Sequence, residues 1–194
     1  MEKTLQIKDG SDVVIRTMTM DDLERSVEFF KKLPEGDRLF LRYDVTIPER
    51  LQERIAEMDR GLVKRLVAIK EDKIVADGAL ELIREGWKKH MGELRLVVSR
   101  AYQRKGLGAL MARELYGLAA SEKLEEIVVR MMRPQEAARS IFVRLGFKED
   151  AVLPGYVRDR HGQRQDLVVM RCNLEELWAK MENYLDDTDW RRAR

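Results

Sequence analysis

The run of residues 99–108 has the residue types of an anion-binding loop. It follows an apolar stretch, residues 94–98, that is typical of a strand, and it precedes apolar residues at helical spacing. Backbone N–H groups at the start of a helix, together with the positive end of the helix dipole, stabilise a phosphate group. Gly106 and Gly108 have no Cβ, so a ligand can approach the backbone closely, and Arg104 and Lys105 add positive charge. The segment therefore predicts a pyrophosphate-binding loop.

Two other kinds of phosphate loop do not fit this run. The spacing of a Walker loop is absent, and a dinucleotide-binding fingerprint would need a third glycine where Met111 stands. The remaining pattern, Gln103-x-x-Gly106-x-Gly108, resembles the Gln/Arg-x-x-Gly-x-Gly/Ala motif of the GNAT acyl-CoA-dependent N-acyltransferases. The alternative is a glycine-containing loop that only starts a helix. The resemblance implies that these residues bind acyl-CoA: Gln103, Arg104, Lys105, Gly106, Leu107, Gly108 and Ala109.

A second segment, residues 135–147, strengthens this resemblance, because six of its residues match the family pattern in order. The first four of them fall at spacings of 0, 3, 4 and 7, which predicts one face of a helix. Gly146 stands where a glycine commonly ends a helix. The first half of the chain resembles the opening of Pat-type protein acetyltransferases, and the resemblance as a whole covers residues 5–173. The six matching residues are Ala138, Ile141, Phe142, Leu145, Gly146 and Phe147.

The order of predicted elements gives an α/β fold. Strands are predicted at residues 13–17, 66–70, 74–82, 94–98, 127–131, 148–158 and 165–173, with helices between them. The resemblance implies the GNAT fold, with one mixed, mostly antiparallel sheet of about six or seven strands flanked by helices. We expect one domain over residues 1–173. A C-terminal amphipathic helix and a charged tail are expected over residues 174–194.

Glu93 is the candidate general base. Acyl transfer to an amine requires that the ammonium group lose a proton, and a carboxylate at the start of the strand leading to the loop can accept it. The resemblance to Pat-type proteins implies the same role for Glu93. The alternative is a solvated carboxylate at the end of the strand that pairs with Arg95. Glu81 and Glu85 are weaker candidates for the base.

The resemblance also implies contacts with the thioester end of acyl-CoA. A backbone N–H in the central strand, from Leu96, Val97 or Val98, would stabilise the oxyanion. Gln135 stands in place of the usual asparagine, either to bind the pantetheine arm or only to cap a turn. Phe142 stands where many members have a tyrosine acid, so the thiolate would take its proton from solvent or from Tyr156, unless the chain is a slow or non-enzymatic relative.

Bulk composition limits the partners of the chain. It has 194 residues and a formal net charge of +2, which argues against a large nucleic-acid interface. Its apolar runs are too short to cross a membrane, and its first residues lack the pattern of a signal peptide. Cys172 is the single cysteine, so no internal disulfide is expected and a cytoplasmic location is favoured. Two histidines, His90 and His161, are too few for a convincing zinc site, and no metal is expected.

These patterns predict an acyl-CoA-dependent N-acyltransferase. It would move an acetyl or other short acyl group from acetyl-CoA directly to a primary amine in a ternary complex. The acceptor is expected to be a protein lysine or a small molecule, and a homodimer is left open. Two other functions compete with this one: a non-catalytic acyl-CoA sensor, and a regulatory or interaction domain.

Overall fold

One eight-stranded sheet organises the protein, whose computed structural model describes residues 2–42 and 47–177. The strand order is β1-β2-β3-β4-β5-β6-β8-β7, and β5–β6 is the parallel pair among otherwise antiparallel neighbours. This confirms the predicted α/β fold with a mixed, mostly antiparallel sheet. The strands are β1 (Glu2–Gln6), β2 (Asp12–Thr17), β3 (Val63–Lys70), β4 (Lys73–Leu82), β5 (Met91–Val98), β6 (Glu126–Met132), β7 (Lys148–Arg158) and β8 (Arg164–Asn173).

The helices cover both faces of this sheet. Short 3₁₀ turns, Met20–Asp22, Gly86–Lys88 and Arg100–Tyr102, precede α1, β5 and the candidate phosphate loop respectively. Residues 174–177 are helical, and the rest of the expected C-terminal helix and tail, residues 178–194, lies outside the described residues. The α-helices are α1 (Leu23–Lys32), α2 (Glu35–Arg38), α3 (Pro48–Asp59), α4 (Leu107–Ser121) and α5 (Glu136–Arg144).

The sheet has one more strand than the sequence predicted, and the added strand is β1. It pairs along its length with β2, from Glu2↔Arg16 to Gln6↔Asp12. Most of its side chains are exposed, because it lies at the edge of the sheet. An exposed edge strand needs no alternation of apolar and polar residues, so this segment gave no strand pattern in the sequence.

The predicted hairpin between β3 and β4 is confirmed. Glu71 and Asp72 form a two-residue connection, and both have positive φ angles, 50° and 60°. This is the turn type whose twist matches that of paired antiparallel strands. The hairpin places β4 beside β5, so the two central strands meet in continuous register from Ala76↔Val98 to Leu82↔Gly92.

A close approach between α4 and the sheet fixes the position of the loop that precedes α4. A Cβ on Gly78 would lie 2.9 Å from Leu115 Cδ1 and 3.1 Å from Met111 Cε, so a larger residue would require the ends of these two side chains to shift away from the strand. Leu107, Met111 and Leu115 are fully buried in the core on this face. The first turn of α4 is therefore held against the carboxyl end of β5.

On the opposite face, a buried ion pair holds the start of α1. Arg16 donates to both oxygens of Asp22 at 2.6 and 2.7 Å, and the Thr19 N–H donates to the same carboxylate at 2.9 Å. Asp22 is fully buried. It occupies the N-cap position of α1, but its carboxylate bonds to Arg16 and Thr19 rather than to the α1 backbone. The pair orients α1, whose Phe30 packs in the core of this face.

We expect Asp22→Asn to lower the free energy of unfolding at pH 7 by about 2–3 kcal/mol, because it removes one charge of a buried pair. For a domain of this size the melting temperature would fall by roughly 5–10 °C. Asp21→Asn, a neighbouring exposed position, is the matched control and should change stability by less than about 0.5 kcal/mol. Equal melting temperatures for the two variants would contradict the role of this pair.

The stabilisation by the Asp22 ion pair should depend on pH. Burial raises the pKa of Asp22, but the hydrogen bonds from Arg16 and Thr19 outweigh it, so the pKa lies below its ordinary value of 3.8. The stabilisation is therefore fully present above that pH and is lost as the pH falls through the lowered pKa. Melting curves of wild type and Asp22→Asn should converge in strong acid.

Candidate functional site

A cleft opens in the sheet where β5 and β6 separate. The two strands share three register pairs, from Met91↔Glu126 to Glu93↔Val128, and beyond them β6 stays paired with β8 on its other edge while β5 turns away. The cleft has a volume of about 120 Å³. On the α1 face it is lined by Phe30, Phe40, Leu41, Arg42, Asp77, Arg95, Val97 and Arg130, and on the α4 face by Leu94, Leu96, Val129, Met131, Gln135, Ala138 and Phe142.

The register of β5 decides which backbone groups face the cleft. The Ser99 N–H donates to the Val75 carbonyl at 3.0 Å, whereas the His90 carbonyl accepts from the Glu125 N–H at 2.8 Å on the other side. Because backbone groups of successive residues point to alternate sides of a strand, Leu96 and Val98 direct theirs toward β6 and into the cleft. The N–H of Val97 points toward β4 and is not available in the cleft. Val97 lines the cleft with its side chain. Of the three residues expected to supply an oxyanion donor, the register favours Leu96 and Val98.

Glu93 lies at the base of this gap and is 8% exposed. It is the third residue of β5, opposite Glu81 on β4 and Val128 on β6. Arg42 donates to its Oε1 and Arg130 donates to its Oε2. The alternative of a solvated carboxylate paired with Arg95 is wrong, since Arg95 pairs with Glu81 instead.

A second carboxylate faces the cleft, and the sequence analysis did not identify it. Asp77, on β4, is 4% exposed and accepts hydrogen bonds from Arg65 at 3.1 Å to each oxygen. The Arg65 side chain is 1% exposed. The signal in the sequence was a charged residue inside an otherwise apolar strand. Such a residue needs a buried partner of opposite charge, and the sequence alone does not show which one.

The candidate phosphate loop turns sharply before α4. Arg104 and Gly106 have φ angles of 60° and 84°, and the helix begins at Leu107 as predicted. The Gln103 side chain donates through Nε2 to the Val98 carbonyl at 3.0 Å, so it braces the loop against the end of β5. The unpaired N–H groups of the first helical turn are therefore held next to the carboxyl end of β5.

The turn between β1 and β2 supports this loop, a contact that the sequence did not reveal. The Lys8 N–H donates to the Lys105 carbonyl at 2.9 Å, and the Lys105 ammonium lies 2.9 Å from an oxygen of Asp9 and 5.3 Å from the centre of the Tyr102 ring. Hydrogen bonds from Ser11 and Lys105 hold the pKa of Asp9 well below its ordinary value. Lys105 is therefore already engaged by a carboxylate.

The first residues of α5 form the other wall of the cleft. The Gln135 Oε1 accepts from the Met132 N–H at 2.8 Å, so the expected turn-capping role is present and a ligand contact would fall to Nε2. Phe142 is 7% exposed, and its ring packs edge-on against that of Phe147 at 5.1 Å. Gly146 ends the helix with a φ angle of 92°, as predicted. Tyr156 is 68% exposed on β7 and does not line the cleft.

Over residues 2–42 and 47–177, none of the helices has the length and apolar character needed to cross a membrane. Within the same residues, no cluster of three or more His, Cys, Asp or Glu side chains is arranged to hold a metal ion.

Comparison with known proteins identifies a family and a fold. The sequence model of the acetyltransferase (GNAT) family matches residues 30–147. A comparison with curated protein sequences gives no significant match.

Three solved structures illustrate the likeness in fold. The GNAT domain of S. lividans PAT is 16% identical, with a TM-score of 0.73 over 89% of this chain and 96% of that one. Ribosomal-protein-alanine N-acetyltransferase from Brucella melitensis is 21% identical, with a TM-score of 0.72 over 82% and 98%. A chimera of spermidine N-acetyltransferase SpeG from Vibrio cholerae and hSSAT is 16% identical, with a TM-score of 0.71 over 87% and 99%.

Proposed function

Since this chain belongs to the acetyltransferase (GNAT) family, we propose that it moves an acetyl group from acetyl-CoA directly to a primary amine in the cleft between β5 and β6. The observation that carries this proposal is the separation of the two strands after Glu93. It leaves backbone groups of β5 facing a cleft that begins beside the start of α4. An acyl-CoA molecule needs both features: donors for its pyrophosphate and donors for its thioester carbonyl.

The pyrophosphate would bind the first turn of α4. The N–H groups of the first residues of a helix have no partner within the helix, and Gly106 and Gly108 keep the approach to them open. Arg104 lies beside them and adds positive charge. The ion pair with Asp9 partly neutralises the charge of Lys105, so Lys105 would contribute less to phosphate binding than its place in the motif suggests.

In the proposed reaction, Glu93 would accept one proton from the ammonium group of the acceptor, directly or through water. The amine nitrogen then forms a bond to the acetyl carbon, and the N–H groups of Leu96 or Val98 stabilise the oxyanion. The carbon–sulfur bond breaks, and the CoA thiolate leaves with the electron pair. The second amine proton is lost to solvent or to the thiolate. The products are an N-acetyl amide and CoA.

Among the described residues of the α5 wall, none is an acid placed beside the leaving group. Phe142 cannot donate a proton, and Tyr156 is exposed outside the cleft lining. A thiol with a pKa of about 8.5 is a tolerable leaving group without an acid, so protonation by water is sufficient.

A non-catalytic acyl-CoA sensor is the second candidate, because Phe142 stands where an acid would be expected. A sensor would bind acetyl-CoA with the same loop and cleft, and it would acetylate no amine. Turnover with any amine decides between the two functions.

Gly108→Asp should weaken binding of acetyl-CoA at least about 100-fold, because like charges about 4 Å apart repel by ~4 kcal/mol at an effective dielectric constant of 20. The control is Gly108→Ala. A Cβ at this position lies 3.7 Å from Val98 Cγ2, an ordinary contact, so the alanine variant should fold, and it should bind acetyl-CoA far more tightly than the aspartate variant because it adds no charge. Calorimetric titration measures both affinities. Equal affinity in the aspartate variant would refute the loop assignment.

Glu93→Gln should lower kcat at pH 7 by about 10²–10⁴-fold, the usual contribution of a general base, with unchanged affinity for acetyl-CoA. The deficit should shrink as the pH rises toward the pKa of the acceptor amine, because solvent then removes the proton. Glu85→Gln, at an exposed position, is the matched control. A wild-type rate in the glutamine variant across the pH range would show that Glu93 is not the base.

A further inference from the structure

The carboxylate proposed as the base already accepts hydrogen bonds from two arginine side chains. Arg42, from the segment after α2, donates to Oε1 of Glu93, and Arg130, from β6, donates to Oε2. Both guanidinium groups line the cleft. An acceptor amine that reaches Glu93 must therefore come close to two positive charges.

The other charged side chains on this side of the cleft have partners of their own. Asp77 is paired with Arg65, and Arg95 is paired with Glu81. Arg65 on β3 and Arg95 on β5 lie opposite the buried Ala79 of β4, one on each side. The Arg65 side chain is only 1% exposed. Among the residues that the structure describes, Glu93 is the carboxylate to which both Arg42 and Arg130 donate. A purely cationic acceptor, such as a polyamine, has no group that can accept hydrogen bonds from Arg130.

Arg130 is placed to bind an anion. It projects from β6, a strand paired along its full length with β8, and its side chain is 36% exposed, so it reaches from Glu93 toward solvent. A guanidinium group presents parallel N–H donors that match the two oxygens of a carboxylate. A carboxylate on the acceptor would take over Arg130 and free one oxygen of Glu93 for the ammonium group.

We propose that the acceptor is a small amine with a carboxylate close to its amino group, as in a free amino acid, and that Arg130 binds this carboxylate. This inference rests on the proposed acetyltransferase function and specifies its substrate class.

The test compares free amino acids with their amides as acceptors, at saturating acetyl-CoA. The members of each pair differ only in the carboxylate. The amides are less basic and hold more free amine at a given pH, so a preference for the acids cannot arise from basicity. We expect kcat/KM for the preferred amino acid to exceed that for its amide by about 10-fold or more, the usual effect of a charged hydrogen-bonded contact.

Arg130→Gln should remove this preference by raising KM for the amino acid more than for the amide, because the loss of its hydrogen bond to Glu93 affects both acceptors. A merely structural role of Arg130 would lower both activities together. Arg130→Lys should restore part of the preference. The matched control is Arg133→Gln. Arg133 is an exposed arginine just beyond the end of the same strand; it pairs with Asp166 and does not line the cleft. It should retain the full preference.

The outcomes separate this inference from the proposed function. If polyamines, lysine peptides or amino-acid amides are acetylated with kcat/KM values equal to those of the amino acids, the proposed substrate class is wrong. The acetyltransferase function then still stands. If no amine of any of these classes is acetylated by a protein that binds acetyl-CoA, the proposed function fails, and this inference fails with it.

Discussion

The separation of two parallel strands is the constraint on which the rest of the site depends. β5 and β6 share three register pairs and then diverge, whereas β6 stays paired with β8 along its full length. Backbone N–H and C=O groups that leave a sheet need other partners, and an unpaired buried group is unfavourable by an amount comparable to a lost hydrogen bond. At this gap the Gln103 side chain binds the Val98 carbonyl, and the N–H groups of Leu96 and Val98 are left to water or a ligand. The sheet therefore offers polar backbone groups in the middle of the domain, between two apolar cores.

The two faces of the sheet give this gap different chemistry. On one face, Gly78 lets α4 lie close to β4, so the first turn of the helix is fixed beside the end of β5. On the other face, charged residues of β3 to β6 form ion pairs around Glu93, next to Phe30 of α1. A long substrate with a phosphate at one end and a reactive group at the other would reach from the first face to the second. The acceptor would enter from the side of the ion pairs.

Local patterns predicted the elements around the site well. The loop glycines, the start of α4 and the end of α5 at Gly146 each follow from a few neighbouring residues whose conformations are set locally. Glu93 was placed correctly on β5, near the loop that follows this strand. The alternative of a solvated carboxylate stayed open in the sequence, because a carboxylate near the end of a strand looks solvated until its partners are known.

What the sequence did not show comes from residues far apart in the chain. Arg42 and Arg130 meet Glu93 across separations of 51 and 37 residues. Asp9 reaches Lys105 from the turn after β1, an edge strand without an apolar pattern. Each of these contacts depends on the order of strands in the sheet, and neither composition nor periodicity determines that order.

Amide hydrogen exchange, resolved by residue with and without acetyl-CoA, tests the central claim most directly. The account predicts that the N–H groups of Leu96 and Val98 exchange rapidly in the free protein and become protected when acetyl-CoA binds. The N–H of Val97, which points toward β4, should be protected in both states. If acetyl-CoA binds and leaves the exchange of Leu96 and Val98 unchanged, the thioester does not lie in the gap between β5 and β6, and the account is wrong.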